Sequence, residues 1–174
     1  RAVENRWLPV PGWTGDHEWQ GNIPFEEMPA LRNPREGFIA TANNRIVGDE
    51  YPHYLGLEPA QGFRAQRIVE RLRSATGLTP NDMAALHADR ISIPGRIFAR
   101  LLAAIEPLDE LSAWARDLLI AWDGTMERDS WAALVYSAFR EQLLRDLMSP
   151  VLGPLVEAAF SGSGGPPNHM ARIR

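Results

Sequence analysis

Two short segments carry residues whose types and spacing could do chemistry. The first is Thr41-Ala42-Asn43-Asn44-Arg45, at the end of the best strand candidate. A neutral amide at a strand end is a good donor to a developing oxyanion, because it adds hydrogen bonds without adding a titrating group. From composition alone the Asn-Asn pair reads as a turn, since Asn tolerates left-handed backbone angles. The second is Gly62-Phe63-Arg64-Ala65-Gln66-Arg67-Ile68, which opens a helix with Arg64, Arg67 and Arg71 on one side. Composition alone reads that row as a solvated stripe.

The other constellations are weaker. His17, His53, His87 and His169 are scattered, and none belongs to a His-Glu-x-x-His pattern. Gly162-Ser163-Gly164 lacks the Gly two residues before the Ser that a nucleophile elbow needs, and it follows a helix rather than a strand, so it reads as linker. Asp123-Gly124-Thr125-Met126-Glu127 lacks the spacing of a calcium loop and reads as a helix-ending turn. Glu26-Glu27 has no second acid placed against it and reads as a solvated turn.

The elements that must position these residues fall into two textures. Residues 1–62 hold seven of the 14 Pro and seven of the 14 Gly, a density that allows short strands and turns but not long helices. The strand candidates are Gly37–Ala42 and Arg45–Val47. From Phe63 the pattern is helical, over Phe63–Ser74, then from Pro80 behind a Thr79 cap, then Gly95–Ile105 and Leu108–Ala121. The longest helix is expected over Trp131–Met148, capped by Asp129 or Ser130. Its apolar stripe is Trp131, Leu134, Val135, Ala138, Phe139 and Leu143. A short helix over Val151–Phe160 follows Pro150, and residues 161–174 read as a Gly/Pro-rich linker or tail. The predicted class is α+β and predominantly helical: a β-rich segment at 1–62, a helical segment at 63–160, and the tail. An isolated pair of strands is marginal in water, which suggests that strand neighbours are missing.

Composition excludes several chemistries. The 174 residues contain no Cys, so a disulfide, a thiolate metal site and a Cys nucleophile are ruled out within the chain. All 18 basic residues are Arg, which removes P-loop, Schiff-base and kinase lysines. A net charge of −4 argues against nonspecific nucleic-acid binding, and no apolar run approaches the ~18 residues of a membrane span. With Arg1 at its start and no signal-peptide pattern, the sequence reads as a processed chain or an excised fragment.

The order of the pieces adds a resemblance. Leu8-Pro9-Val10-Pro11-Gly12, Glu18-Trp19-Gln20-Gly21, Ile23-Pro24-Phe25-Glu26-Glu27-Met28-Pro29 and Asn33-Pro34 leading to Gly37-Phe38-Ile39-Ala40-Thr41-Ala42-Asn43-Asn44 resemble the penicillin acylase (penicillin amidase) family. Tyr51-Pro52, Phe63-Arg64-Ala65-Gln66-Arg67-Ile68 and Trp122-Asp123-Gly124 extend the likeness over at least residues 6–148. The resemblance implies an N-terminal nucleophile hydrolase of αββα fold, made as a precursor and cut into two chains. The large chain starts with a Ser whose own α-amine, with a pKa near ~8, serves as base. By the same resemblance Asn43 is the oxyanion-hole asparagine and Arg67 the active-site arginine; Arg64 and Arg71 match nothing catalytic.

No Ser-Asn pair occurs, and all eight Ser lie at or beyond Ser74, so the nucleophile is expected outside this chain. The chain then reads as an internal piece of the large chain, inactive alone. Its partners would be the small chain, the rest of the large chain and a small acylamide substrate, with no nucleic acid. No cofactor is implied with certainty: the family's calcium site takes an acid from just after Tyr-Pro, where this chain has His53-Tyr54-Leu55-Gly56-Leu57-Glu58 and only Glu58 as a substitute. Family resemblance points to a periplasmic or secreted parent. The competing reading is a self-contained helical interaction module without catalysis.

Overall fold

The computed structural model describes residues 9–19, 21–56 and 59–160. The chain divides into two compact units, Arg1–Ala60 and Gln61–Arg174. The expected linker at 161–174, including Gly162-Ser163-Gly164, lies outside the described residues.

The first unit is held by turns and side-chain ties. Among its described residues only Ala42 is buried. The strands expected at Gly37–Ala42 and Arg45–Val47 do not form, and no regular strand occurs among the described residues. Gly37 sits at φ 76° in a turn closed by its own N–H donating to the Pro34 carbonyl, at 3.0 Å. Residues 38–41 then run as irregular chain until the next turn, at Asn43. A strand is defined by the ladder beside it, and among the described residues of this unit the only pairing is an isolated parallel bridge between Asn44 and Ala60. Ile39 is 56% exposed.

A 3-10 turn at Phe25–Glu27 anchors a second tie. Tyr51 donates its hydroxyl to the Glu27 carbonyl at 2.8 Å, the His53 imidazole hydrogen-bonds the Glu27 carboxylate, and the Tyr51 and His53 rings meet edge to face at 5.6 Å. The turn is solvated as expected, and Glu27 is in addition a partnered acid. Its partner is 26 residues away, beyond the reach of local sequence reading.

The second unit is helical: α1 (Phe63–Arg73), α2 (Pro80–His87), α3 (Ile93–Leu102), α4 (Glu110–Ile120), α5 (Trp131–Leu152), a 3-10 turn at Gly153–Leu155, and α6 (Val156–Phe160). The starts are written in the caps. Thr79 and Asp82 form a reciprocal capping box at α2, Asp109 and Ser112 do so at α4, and the Ser92 and Ser130 hydroxyls accept the Gly95 and Ala133 N–H groups at α3 and α5. Several boundaries differ from expectation: α4 begins at Glu110 rather than Leu108, and the short helix expected over Val151–Phe160 begins at Val156 because α5 runs on to Leu152. Capped by Ser92, α3 starts at Ile93, two residues before Gly95, and Pro94 fits because the first turn needs no N–H from it. Pro150 lies inside α5, close enough to the helix end that its missing N–H costs one bond. The left-handed Gly153 (φ 52°) ends the helix instead.

The core joins α3, α4 and α5. Ala99, Leu119, Ala132 and Tyr136 are buried together, with Phe98, Leu102, Leu118, Trp122, Met126 and Val135 packed around them. Gly95 is required by close approach, since a Cβ there would come within 2.6 Å of the Trp122 ring. The buried face of α5 is Ala132, Ala133, Tyr136 and Leu144. Trp131, Leu134 and Ala138 of the expected stripe are exposed. No helix among the described residues is long and apolar enough to cross a membrane.

Candidate active site

Asn43 lies in the first unit and Arg67 in the second.

Asn43 adopts φ 59°, the left-handed conformation that Asn tolerates better than other residues with a side chain. Its carbonyl accepts the Ala60 N–H at 2.6 Å. The two asparagines are used differently. Asn44 Oδ1 accepts the Ala42 N–H at 2.9 Å, and its Nδ2 donates to the Arg45 carbonyl at 2.9 Å, so this amide caps the turn in which it sits. Asn43 supplies the backbone conformation, and it is exposed while Asn44 is half-buried.

Arg67 stands apart from the other two arginines of its row. Arg64 and Arg71 are exposed, whereas the Arg67 side chain is 23% exposed and that of its partner, Asp89, only 12%. Arg67 Nε donates to both Asp89 oxygens at 3.0 Å, and Nη2 donates to Oδ2 at 2.7 Å. This is a side-on bidentate fork, the strong form of a charge-assisted bond. Nη1 lies 3.6 Å from a Glu70 oxygen, an ion pair rather than a hydrogen bond. Asp89 Oδ1 also accepts the Ile91 N–H at 3.1 Å.

The segment carrying Asp89 is stapled in place. Ser92 donates its N–H to the Gly124 carbonyl at 2.7 Å, Met126 donates its N–H to the Arg90 carbonyl at 2.9 Å, and Ile91 pairs with Thr125 in an antiparallel bridge. The Trp122 indole donates to the Thr125 carbonyl at 2.9 Å, which ties this loop to the core. Asp123 closes the turn by accepting the Thr125 N–H and hydroxyl at 2.8 and 2.7 Å, so the segment that began as a weak calcium-loop candidate is a helix-ending turn.

The hydrogen bonds from Arg67 are the main cause holding the Asp89 carboxyl below the usual carboxylate range; burial opposes them. The Arg67 guanidinium is pushed higher in turn, again chiefly by Asp89. A carboxyl depressed in the folded state stabilises the fold above its unfolded value of ~3.9 and loses that contribution as pH falls through the folded value. The stability difference between the wild type and Asp89→Asn is therefore expected to stay constant from neutral pH down to the ordinary Asp value and to close progressively below it. Urea unfolding at a series of pH values checks this, and a gap that closes between pH 7 and pH 5 would contradict it.

Sequence reasoning did not single out Asp89. Nothing local marks it: it lies 22 residues from Arg67, and only the fold brings them together. Among the described residues no three His, Asp or Glu side chains gather where a metal could use them, and Glu58 lies outside those residues. An open cleft of about 510 Å³ lies along α3, lined by Arg96, Ala99, Arg100, Ala103, Ile120, Trp122 and Asp123; Arg67 is not among its walls.

The penicillin amidase family model matches residues 1–172. The chain belongs to the penicillin amidase family. Penicillin acylase 2 proenzyme of Pseudomonas sp. (strain SE83) is 46% identical over 150 residues, covering 83% of this chain and 19% of that protein. The acyl-homoserine lactone acylase QuiP of Pseudomonas aeruginosa is 29% identical over 162 residues, 84% of this chain and 19% of its own length. Penicillin G acylase of Escherichia coli is 54% identical over a shorter stretch of 45 residues, 26% of this chain and 5% of its own. This penicillin amidase segment thus spans about a fifth of the length of the first two of these relatives, whose names are those of acylases, one of them a proenzyme.

Proposed function

We propose that this chain is an internal part of the large chain of an amide hydrolase that cleaves a linear acylamide into an acyl acid and an amine. The family match over residues 1–172 carries this reading. The names of the relatives supply the substrate class, an acyl group on the amine of a penicillin or of a homoserine lactone. The attacking group is an N-terminal Ser, outside these 174 residues, with its own α-amine as base.

In this reading Asn43 is the oxyanion donor. The position supports it: Asn43 is an exposed residue in a left-handed backbone that Asn accommodates, beside the turn that the Asn44 amide caps. Arg67 is the arginine that orders the polar surroundings of the nucleophile. Its guanidinium is held by the half-buried Asp89 carboxylate. The segment at 1–62 belongs to the αββα sheet, whose remaining strands come from the rest of the parent. The exposure of Ile39, and the want of ladder partners around it among the described residues, fit that origin. Further apolar side chains left open on the helices, such as Leu111 and Trp131, fit packing against the rest of the same protein.

The experiment is a hydrolysis assay of the complete gene product and of the 174-residue chain against phenylacetyl and octanoyl 4-nitroanilides. The expected result is release of 4-nitroaniline by the cleaved, two-chain parent and none by the 174-residue chain. Turnover by the short chain alone would overturn the reading.

A further inference from the structure

Three hydrogen bonds and a staple converge on a residue with no assigned role. We infer that Asp89 is a positioning residue for the acylase reaction, seating the Arg67 guanidinium at a fixed point and turning one edge of it toward the polar network of the site. This rests on the reading of Arg67 given above and extends it to a second residue.

A guanidinium has five N–H donors in one plane. Asp89 engages the Nε hydrogen and one Nη2 hydrogen side-on, which fixes the plane in two directions. The Nη1 hydrogens make no hydrogen bond among the described residues, and Glu70 near them stands at ion-pair distance. The fork also cancels most of the charge. What Arg67 presents is an oriented donor edge, not an unscreened cation beside an α-amine that must accept a proton.

The seat is itself rigid. Asp89 accepts the Ile91 N–H, the 90–92 strip is bonded to residues 124–126, and that loop is held to the core by the Trp122 indole. A lysine in place of Arg67 could not use this seat, because a single ammonium cannot engage a carboxylate side-on. An aspartate that only tied α1 to the segment before α3 would stabilise the fold and nothing else, so the two roles separate by experiment.

The test uses the complete, cleaved acylase and the two 4-nitroanilides above. Asp89→Asn is expected to lower kcat about 10- to 100-fold with little change in KM, the usual range when a group that orients an active-site residue is lost. In the Arg67→Ala background the same change should add nothing, because Asp89 acts through Arg67. Asp89→Glu should recover part of the loss. Methylguanidinium at sub-denaturing concentration should raise the kcat of Arg67→Ala by refilling the seat, and should fail to do so in Arg67→Ala/Asp89→Asn. A merely structural Asp89 would not produce that difference.

Multiplying effects in the double variant, or Asp89→Asn with wild-type kcat beside an impaired Arg67→Ala, would overturn the role of Asp89 alone. Wild-type kcat in Arg67→Ala would overturn the reading of Arg67 itself. If Asp89→Asn does not mature, the rescue of Arg67→Ala still decides, since it needs Asp89 intact and its absence counts against the seat.

Discussion

Asn43→Ala and Asn43→Gly in the complete acylase are both expected to lose about 10²–10³ in kcat, or ~2.7–4 kcal/mol of transition-state stabilisation, the usual effect of removing one oxyanion donor. Precursor cleavage is scored separately on a gel, so that kcat refers only to matured enzyme. The pair of variants is needed because of the backbone. At φ 59° an alanine carries a left-handed strain of roughly 1–2 kcal/mol that a glycine does not. If the amide is the donor, both variants fall alike. If Asn43 matters only for its turn, Asn43→Gly keeps wild-type turnover and only Asn43→Ala suffers. The second pattern would remove Asn43 from the reaction and leave it as a turn residue beside the cap that Asn44 provides.

Leu119→Ala is expected to cost ~2–5 kcal/mol of stability, the range for emptying a leucine site in a packed interior. Leu119 is 3% exposed, among the most buried residues described, and it sits where α4 meets Ala99 of α3 and Ala132 and Tyr136 of α5. The replacement leaves a void among an indole, a phenol and small side chains that cannot collapse far. The measurement is the melting temperature of the complete protein together with the yield of cleaved enzyme. Both should fall, while kcat per matured molecule stays at the wild-type value. Leu119→Met, which conserves volume, should cost less than about 1.5 kcal/mol. A melting temperature unchanged by Leu119→Ala would show that the α3–α4–α5 cluster does not govern the stability of the surrounding protein.

The start of α2 and the end of α4 were legible because they are local. Thr79-Pro80-Asn81-Asp82 contains both halves of its capping box, and Gly124 marks the turn after α4 within four residues of the helix end. The buried face of α5 was not legible. Its first turns, from Trp131 to Tyr136, are apolar all round, so period alone cannot choose which side packs; the approach of α3 and α4 chooses it. The extended segments at 37–47 were misread as strands because propensity describes a chain's readiness to pair, and pairing needs a partner.

The candidate site divides in the same way. Asn43 was visible as one of two adjacent asparagines, and only hydrogen bonding tells the capping Asn44 from its neighbour. Arg67 was one of three arginines equal in sequence, and Asp89 was not visible at all. The contact that separates them spans 22 residues and joins α1 to the strip that precedes α3. Resemblance to a family ordered these residues before any geometry did, which is why the roles of Asn43 and Arg67 stand as proposals to be measured.

The most direct measurement is to locate the nucleophile. The complete, matured protein is treated with phenylmethanesulfonyl fluoride, digested, and mapped by mass spectrometry alongside N-terminal sequencing of both chains. The expected result is a large chain that begins with Ser upstream of Arg1, a single sulfonyl adduct on that Ser, and all eight Ser of residues 1–174 unmodified. An adduct on one of those eight Ser, with activity lost in proportion to it, would contradict the proposal that this chain serves a nucleophile lying outside itself.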